Sequence, residues 1–238
     1  MFFFSLFGSG LDISSVLILV LSVLLSAMIA IVFHEVAHGF VAMKFGDYTA
    51  KARGRLTLNP VVHFDFLGLF MLLLVGFGWA KPVPIDPNNF SDYKKGMISV
   101  SLAGVVTNVI LGFTFLLLLY LLAPIFAITT ANRLVFVLQQ FLFYFLFYSI
   151  LINFILAFFN MLPIYPLDGF RLLNLFLKPG NSFSVFMYKN GFYVLLGVII
   201  GGRLMSSFGF PFLNIFSLVS NGILSMINFV LNAAGIGI

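Results

Sequence analysis

The sequence predicts an all-α membrane protein, a polytopic bundle of about five or six transmembrane helices that forms one domain over residues 1–238. The first observation is composition: 62% of the residues are hydrophobic, only 8% are charged and the mean hydropathy is +1.16. A soluble domain carries about 25% charged residues, and a soluble fold of this length could not cover so much apolar surface. The second observation is that the apolar residues fall into runs long enough to cross a bilayer, which takes about 20 residues.

Cysteine content and charge limit the function further. The chain has no cysteine, so disulfides and thiolate metal sites are excluded, and any metal must be held by His, Asp or Glu. The net charge of +5 is explained by basic loops that flank the spans, and no nucleic acid partner is expected. The N-terminus lacks the basic region and cleavage site of a removable signal peptide, so the first apolar run is expected to remain as a signal anchor.

Long helices are predicted at residues 12–45, 97–123, 134–160, 184–201 and 211–232. The polar segment 47–64 contains "RLTLNP", which alternates like a short strand. Residues 66–79 are apolar but too few to span, and they contain three glycines. Residues 80–95 contain three prolines and are typical of an extended loop or edge strand. Small β-strands are therefore expected near the functional site.

Basic residues indicate that the segment 66–79 is re-entrant rather than spanning. If it does not cross, ten Lys and Arg residues share one side of the membrane, whereas crossing gives an even split of the 12. The positive-inside rule favours the first arrangement and makes the basic side cytoplasmic. The ten are Lys44, Lys51, Arg53, Arg55, Lys81, Lys94, Lys95, Arg171, Lys178 and Lys189, against Arg133 and Arg203 on the other side.

The motif "HEVAH" at the end of the first long helix is the strongest chemical signal. His34 and His38 share a helix face and can hold one metal ion, and Glu35 is placed to act as a general base. Zinc lowers the pKa of a bound water to about 7. A pair of structural histidines is the ordinary alternative, but ionisable groups within a span are costly and usually functional. Since Lys44 lies ten residues further on, His34 is roughly 15 Å below the helix end.

A catalytic zinc site needs one more protein ligand, and the chain has only seven acidic residues. Asp168 is selected because it lies in "FNMLPIYPLDGF", where prolines interrupt a span and a glycine permits a tight turn. A simple Asp-Gly turn is the alternative. Asp65, in "HFDF", is a candidate for a group behind the ligands.

These motifs resemble the site-2 protease family of intramembrane zinc metalloproteases, in its compact bacterial and archaeal branch. The resemblance rests on "HEVAHGFVAMKFGDYTAKARGRLTLNPVVHFDFLG", "GWAKPVP" and "FNMLPIYPLDG". It implies that His34, His38 and Asp168 bind one Zn²⁺ per chain and that Glu35 is the general base. It also implies that Asn160 holds substrate backbone or the developing oxyanion.

Further substrate contacts are expected from two other segments. "SLAGVVTN" resembles the family's Gly-Pro-x-x-Asn element, with Val105 in place of the proline, and makes Asn108 a candidate substrate-binding residue. The extended segment Lys81, Pro82, Val83 and Pro84 could pair with an unwound substrate by β-augmentation. A plain proline-rich connector is the alternative for that segment. Neither a PDZ insertion nor a CBS tail is expected.

The leading hypothesis is a multi-pass enzyme of the cell membrane whose active site opens to the cytoplasm. It would cleave single-pass membrane proteins, or remaining signal anchors, within or near their transmembrane segments. A divalent-metal transporter or channel is the alternative, although 97–123 and 184–232 contain no acid or histidine that could continue an ion path. A catalytically inactive scaffold is the third hypothesis.

Overall fold

The computed structural model of the protein describes residues 12–75, 78–208 and 214–236, and the regular elements of this part of the chain are all helices. Five of its helices are long and apolar enough to cross a membrane, which confirms the expected membrane bundle. Residues 76–77 and 211–213 of the predicted segments lie outside the described part. The helices are α1 (Ile13–Lys44), α2 (Thr49–Ala52), α3 (Phe66–Val75), α4 (Tyr93–Ala127), α5 (Arg133–Asn160), α6 (Asp168–Asn174), α7 (Ser182–Ser207) and α8 (Ile215–Ala233).

Helices α1, α4 and α5 form the centre of the bundle. The α1 and α4 helices are antiparallel, because His38 meets Val100 while Ala30, two turns earlier, meets Asn108. Helix α5 is parallel to α1, since Ser26 donates a hydrogen bond to Phe145 O at 3.0 Å and Ser22 contacts Phe141 O one turn earlier. The end of α1, the start of α4 and the end of α5 therefore lie at the same end of the bundle.

Helix α8 packs against α4 and α5 through one apolar face. Ile223, Ile227 and Leu231 are at most 7% exposed and join a core cluster with Leu119 and Leu146. At the beginning of α8, Phe216 packs on Phe159 near the end of α5, with ring centroids 5.4 Å apart. Helix α8 thus runs antiparallel to α5, from the end of α5 toward its beginning.

Helix α7 packs beside the loop that follows α5. The Tyr188 ring lies 5.2 Å from the Tyr165 ring, and Leu195 is buried in a cluster with Phe159, Ile164 and Leu167. Helix α7 therefore holds in place the loop that leads to Asp168.

Helix α3 is the short element predicted to be re-entrant. Its ten residues extend about 15 Å, roughly half a hydrocarbon core. The segments that precede and follow α3 lie next to each other, because Phe64 and Ala80 form an antiparallel bridge and Lys81 N donates to His63 O at 2.8 Å. At the start of α3, Gly68 lies so close to the Trp79 backbone that a Cβ would overlap it.

The expected β-strands are wrong for the described residues, where the Phe64–Ala80 bridge is the only ladder contact. In "RLTLNP", Asn59 instead accepts a hydrogen bond from Val61 N and caps a 3₁₀ turn, Pro60–Val62. The segment 81–86 is extended, but carboxylates rather than a neighbouring strand accept two of its N–H groups. Val83 N donates to Glu35 and Asp86 N to Asp47, each at 2.8 Å.

Asp47 fastens the end of α1 to the segment that precedes α4. It is fully buried and accepts hydrogen bonds from Asp86 N, the Asn89 side chain, and the N–H and hydroxyl of Thr49. Burial raises the pKa of Asp47, but the bonds from Thr49, Asn89 and Asp86 lower it, and the net result is a pKa below the ordinary value. Asp47 is thus a buried anion held by four donors.

Candidate metal centre

Three side chains from two parts of the chain converge inside the bundle. His34 and His38 are one turn apart on α1, and Asp168 is the first residue of α6. The two Nε2 atoms are 3.0 Å apart, and Asp168 Oδ2 lies 3.2 Å from that of His34 and 3.1 Å from that of His38. All three residues are at most 5% exposed, so the cluster is shielded from bulk solvent.

Hydrogen bonds behind the two imidazoles fix their tautomers. His34 Nδ1 lies 2.5 Å from Asn108 Oδ1, and His38 Nδ1 lies 2.7 Å from Val100 O. Both partners are acceptors, so each Nδ1 carries the proton. The Nε2 lone pairs are left free to face the centre of the cluster, as in histidine metal ligands.

The donor set fits a divalent cation. Asp168 Oδ2 is buried and has no hydrogen-bond donor among the described residues, so three lone-pair atoms face one another. One proton on one ring would satisfy only part of this arrangement, whereas a cation satisfies all three atoms. Ligand atoms about 2.0–2.1 Å from a tetrahedral zinc lie about 3.3 Å apart, close to the observed 3.0–3.2 Å. Two imidazoles and one carboxylate leave a fourth position open, as catalytic zinc sites require.

Gly104 on α4 makes room for the His34 imidazole. A Cβ at this position would overlap the ring atoms of His34. Sequence reasoning did not assign Gly104 a role. The signal was the glycine in "SLAGVVTN", but only the antiparallel register of α1 and α4 puts it opposite His34.

Asn108 holds His34 in place. Its Nδ2 donates to Ala30 O at 3.1 Å and to Asn153 Oδ1 at 2.8 Å, so its Oδ1 must face His34. The Asn153 amide is fixed in turn by Ser149 O. Asn108 is fully buried and its polar atoms are used within the protein. Its position therefore favours orienting a metal ligand over the substrate contact expected from the sequence.

Glu35 follows the candidate metal ligand His34 on α1 and is half-buried. Its Oε2 accepts a hydrogen bond from the backbone N–H of Val83 at 2.8 Å. The geometry brings the predicted base together with the "KPVP" segment, a contact that spacing along the chain could not predict.

The segment Lys81–Pro84 is tied down on both sides. Lys81 N donates to His63 O, and Arg55 donates to Lys81 O at 2.8 Å and Pro82 O at 3.3 Å. Proline has no N–H, so both N–H donors of the segment are already used, by His63 and Glu35. In this conformation the segment has no N–H group to offer an added strand.

Two other predicted residues form their hydrogen bonds with groups outside the cluster. Asn160 ends α5 half-buried and donates to Leu156 O at 3.0 Å, without a hydrogen bond to the three ligand side chains. Asp65 accepts from Gly68 N at 3.0 Å and so caps α3 instead of standing behind a ligand. Arg171, which the sequence interpretation used only to orient the protein in the membrane, lies 3.8 Å from Asp168 Oδ1 and places a positive charge beside this acid.

A membrane-helix bundle with a buried His, His and Asp centre and an adjacent glutamate defines a metallopeptidase class of site. The chain is 37% identical over 197 residues to the Bacillus subtilis protein named "Putative zinc metalloprotease YwhC". The matched region covers 80% of this chain and 84% of that relative. A Methanocaldococcus jannaschii relative with the same designation, MJ0611, is 30% identical over 67% of this chain and 72% of its own length. Rip2 of Mycobacterium tuberculosis, also so designated, is 31% identical over 72% of this chain and 63% of its own length.

The chain belongs to the family of zinc metalloproteases that these relatives represent, in agreement with its resemblance to the site-2 proteases. No protein-family model and no solved structure matches it.

Proposed function

We propose that the protein is an intramembrane zinc endopeptidase. Its substrates would be single-pass membrane proteins or remaining signal anchors, cut within or near their transmembrane segments. The observation that carries the proposal is the convergence of His34 Nε2, His38 Nε2 and Asp168 Oδ2 within 3.2 Å of one another, next to Glu35, inside a bundle of membrane helices.

Each residue of the centre has a distinct role in this proposal. His34, His38 and Asp168 hold one Zn²⁺, which when bound polarises a carbonyl and lowers the pKa of a water. Glu35 accepts the proton of the attacking water and returns it to the leaving amine. The N–H of Val83 holds one oxygen of Glu35, which leaves the other for proton transfer.

Substrate contacts are assigned to two further places. Within the described residues, Asn160 Oδ1 and its second N–H have no partner, and both suit a substrate backbone group or the oxyanion. Lys81, Pro82, Val83 and Pro84 pass beside Glu35 and remain the segment proposed to contact an unwound substrate. Their N–H groups are occupied, so pairing there uses carbonyl oxygens or first releases Val83 from Glu35.

The proposed enzyme resides in the cell membrane with its site open to the cytoplasm. Support comes from the bundle end that carries the centre, since Lys44, Lys94 and Arg171 lie on helix segments at that end. An excess of basic residues is typical of the cytoplasmic side.

Replacing Glu35 with Gln tests the mechanism. Gln has nearly the same shape and still accepts the Val83 hydrogen bond, but it cannot take a proton. We expect the purified Glu35→Gln protein to bind one zinc per chain by elemental analysis. Its cleavage of a single-pass model substrate in proteoliposomes should fall about 10²- to 10⁴-fold, the usual contribution of a general base.

The matched control is Asp12→Asn, an acid-to-amide change at the exposed start of the same helix. Asp12 lies roughly 35 Å from Glu35 along α1, so this variant should cleave normally. Undiminished cleavage by Glu35→Gln would refute the mechanism. Zinc flux into the proteoliposomes that persists in both variants, without cleavage by wild type, would indicate the transporter instead.

A further inference from the structure

One face of α8 carries polar side chains that the bundle does not cover. Asn221, Ser225, Asn228 and Asn232, here called the α8 polar stripe, are all exposed. The apolar face of α8, which packs on α4 and α5, lies roughly 130° away around the helix. The α8 polar stripe therefore faces outward from the bundle.

The amides of this stripe have no partner within the described part of the chain. Ser225 bonds back to Asn221 O at 2.9 Å, but the side chains of Asn221, Asn228 and Asn232 make no hydrogen bond there. Hydrocarbon cannot solvate an amide, and asparagines in membrane helices form hydrogen bonds across helix interfaces. The α8 polar stripe therefore indicates contact with a partner helix that carries polar side chains.

The spacing and chemistry of the stripe match a second copy of the same helix. Steps of four, three and four residues are the a and d positions of a heptad, the face that meets a parallel partner. Leu218, which is 52% exposed, continues this face by one more step. Each amide has both donors and an acceptor, so it can pair with an identical amide.

Symmetry gives the pairing its register. Two copies inserted the same way round are related by a twofold axis along the membrane normal, so their α8 helices run parallel. Residues next to the axis then meet their own counterparts. We propose that the protein forms a parallel homodimer through the α8 polar stripe. This dimer depends on the membrane fold and not on the proposed catalytic activity.

The absence of cysteine in the chain permits a direct test by single-cysteine cross-linking in native membranes. Asn228→Cys and Ser225→Cys on the stripe should form disulfide-linked dimers under mild oxidation. The matched control is Phe229→Cys, one residue off the stripe and 73% exposed, which should stay monomeric. Equal cross-linking at 228 and 229, no cross-linking at 228, or a product of another mass would each overturn the proposal.

A second measurement tests the dimer independently, in case a cysteine variant does not fold. In the double variant Asn221→Leu, Asn228→Leu, energy transfer between two labelled copies should show dimer affinity reduced roughly threefold to tenfold for each amide pair removed. Zinc content reports that the fold is intact. Unchanged energy transfer in the zinc-loaded double variant would contradict the homodimer.

Discussion

Two groups of asparagines in this protein have opposite surroundings. Asn108 and Asn153 are fully buried between α1, α4 and α5, and their amides are hydrogen-bonded within the chain. Asn221 and Asn228 are exposed on α8, and their amides have no partner in the described residues. The first pair links α5 to His34 through hydrogen bonds. The second pair holds no other side chain of the described residues in place.

The difference shows that the role of a polar residue in a membrane protein cannot be inferred from its residue type alone. An amide that is satisfied internally can fix a single orientation, because each donor and acceptor has one partner. An amide that is unsatisfied at the surface of a membrane helix indicates an external partner.

Replacing each asparagine with leucine should give the largest contrast. Asn108→Leu removes the acceptor that holds His34 Nδ1 and leaves Ala30 O and Asn153 without their donor. We expect zinc affinity to fall about 10- to 100-fold, as for other groups that support metal ligands. Asn221→Leu should bind zinc as wild type does. Competition with a chelator measures both, and equal affinities would mean that Asn108 does not orient His34.

Glycine substitutions give the next contrast. In Gly104→Ala the new Cβ overlaps the His34 ring, and we expect a stability loss of about 1–3 kcal/mol from overpacking, together with weaker zinc binding. In Gly222→Ala on α8 the Cβ enters open space. This variant should gain about 0.5–1 kcal/mol from helix propensity. Denaturant titration in detergent compares them, and a neutral Gly104→Ala would disprove the close contact with His34.

The smallest expected effect concerns Asp47, outside the metal centre. Its pKa is lower in the folded protein than in the unfolded chain, so its charge stabilises the fold above the unfolded pKa, about 3.9. That contribution is lost as the pH falls through the folded pKa. Asp47→Asn should cost about 1–2 kcal/mol at pH 7 and flatten the dependence of melting temperature on pH below 5. A pH dependence identical to wild type would mean that Asp47 is not the group responsible.

Much of this architecture could be predicted from sequence because it depends on local pattern. The five long helices follow from apolar runs, and His34 with His38 follows from helical periodicity. The choice of Asp168 as the candidate acidic ligand was possible because the chain has only seven acids, which left few candidates. These inferences do not require knowledge of which helix packs against which.

Most of what the sequence did not predict depends on packing between segments. Strands were expected where the chain is extended, but the N–H groups of Val83 and Asp86 are taken by Glu35 and Asp47, which are distant in sequence. The hydrogen bond between His34 and Asn108 was not foreseen, because the two residues become neighbours only once α1 and α4 are in register. Gly104 was missed for the same reason.

The hydrogen bond from Val83 to Glu35 has a consequence for how this site tolerates genetic change. The donor belongs to the main chain, so almost any side chain can stand at position 83 without removing it; only proline lacks the N–H. The hydrogen bond that holds Glu35, the proposed base, therefore persists through most substitutions of Val83, the residue that donates it. Substitutions at position 83 can therefore change the side chain next to Glu35 while the hydrogen bond to its carboxylate is retained.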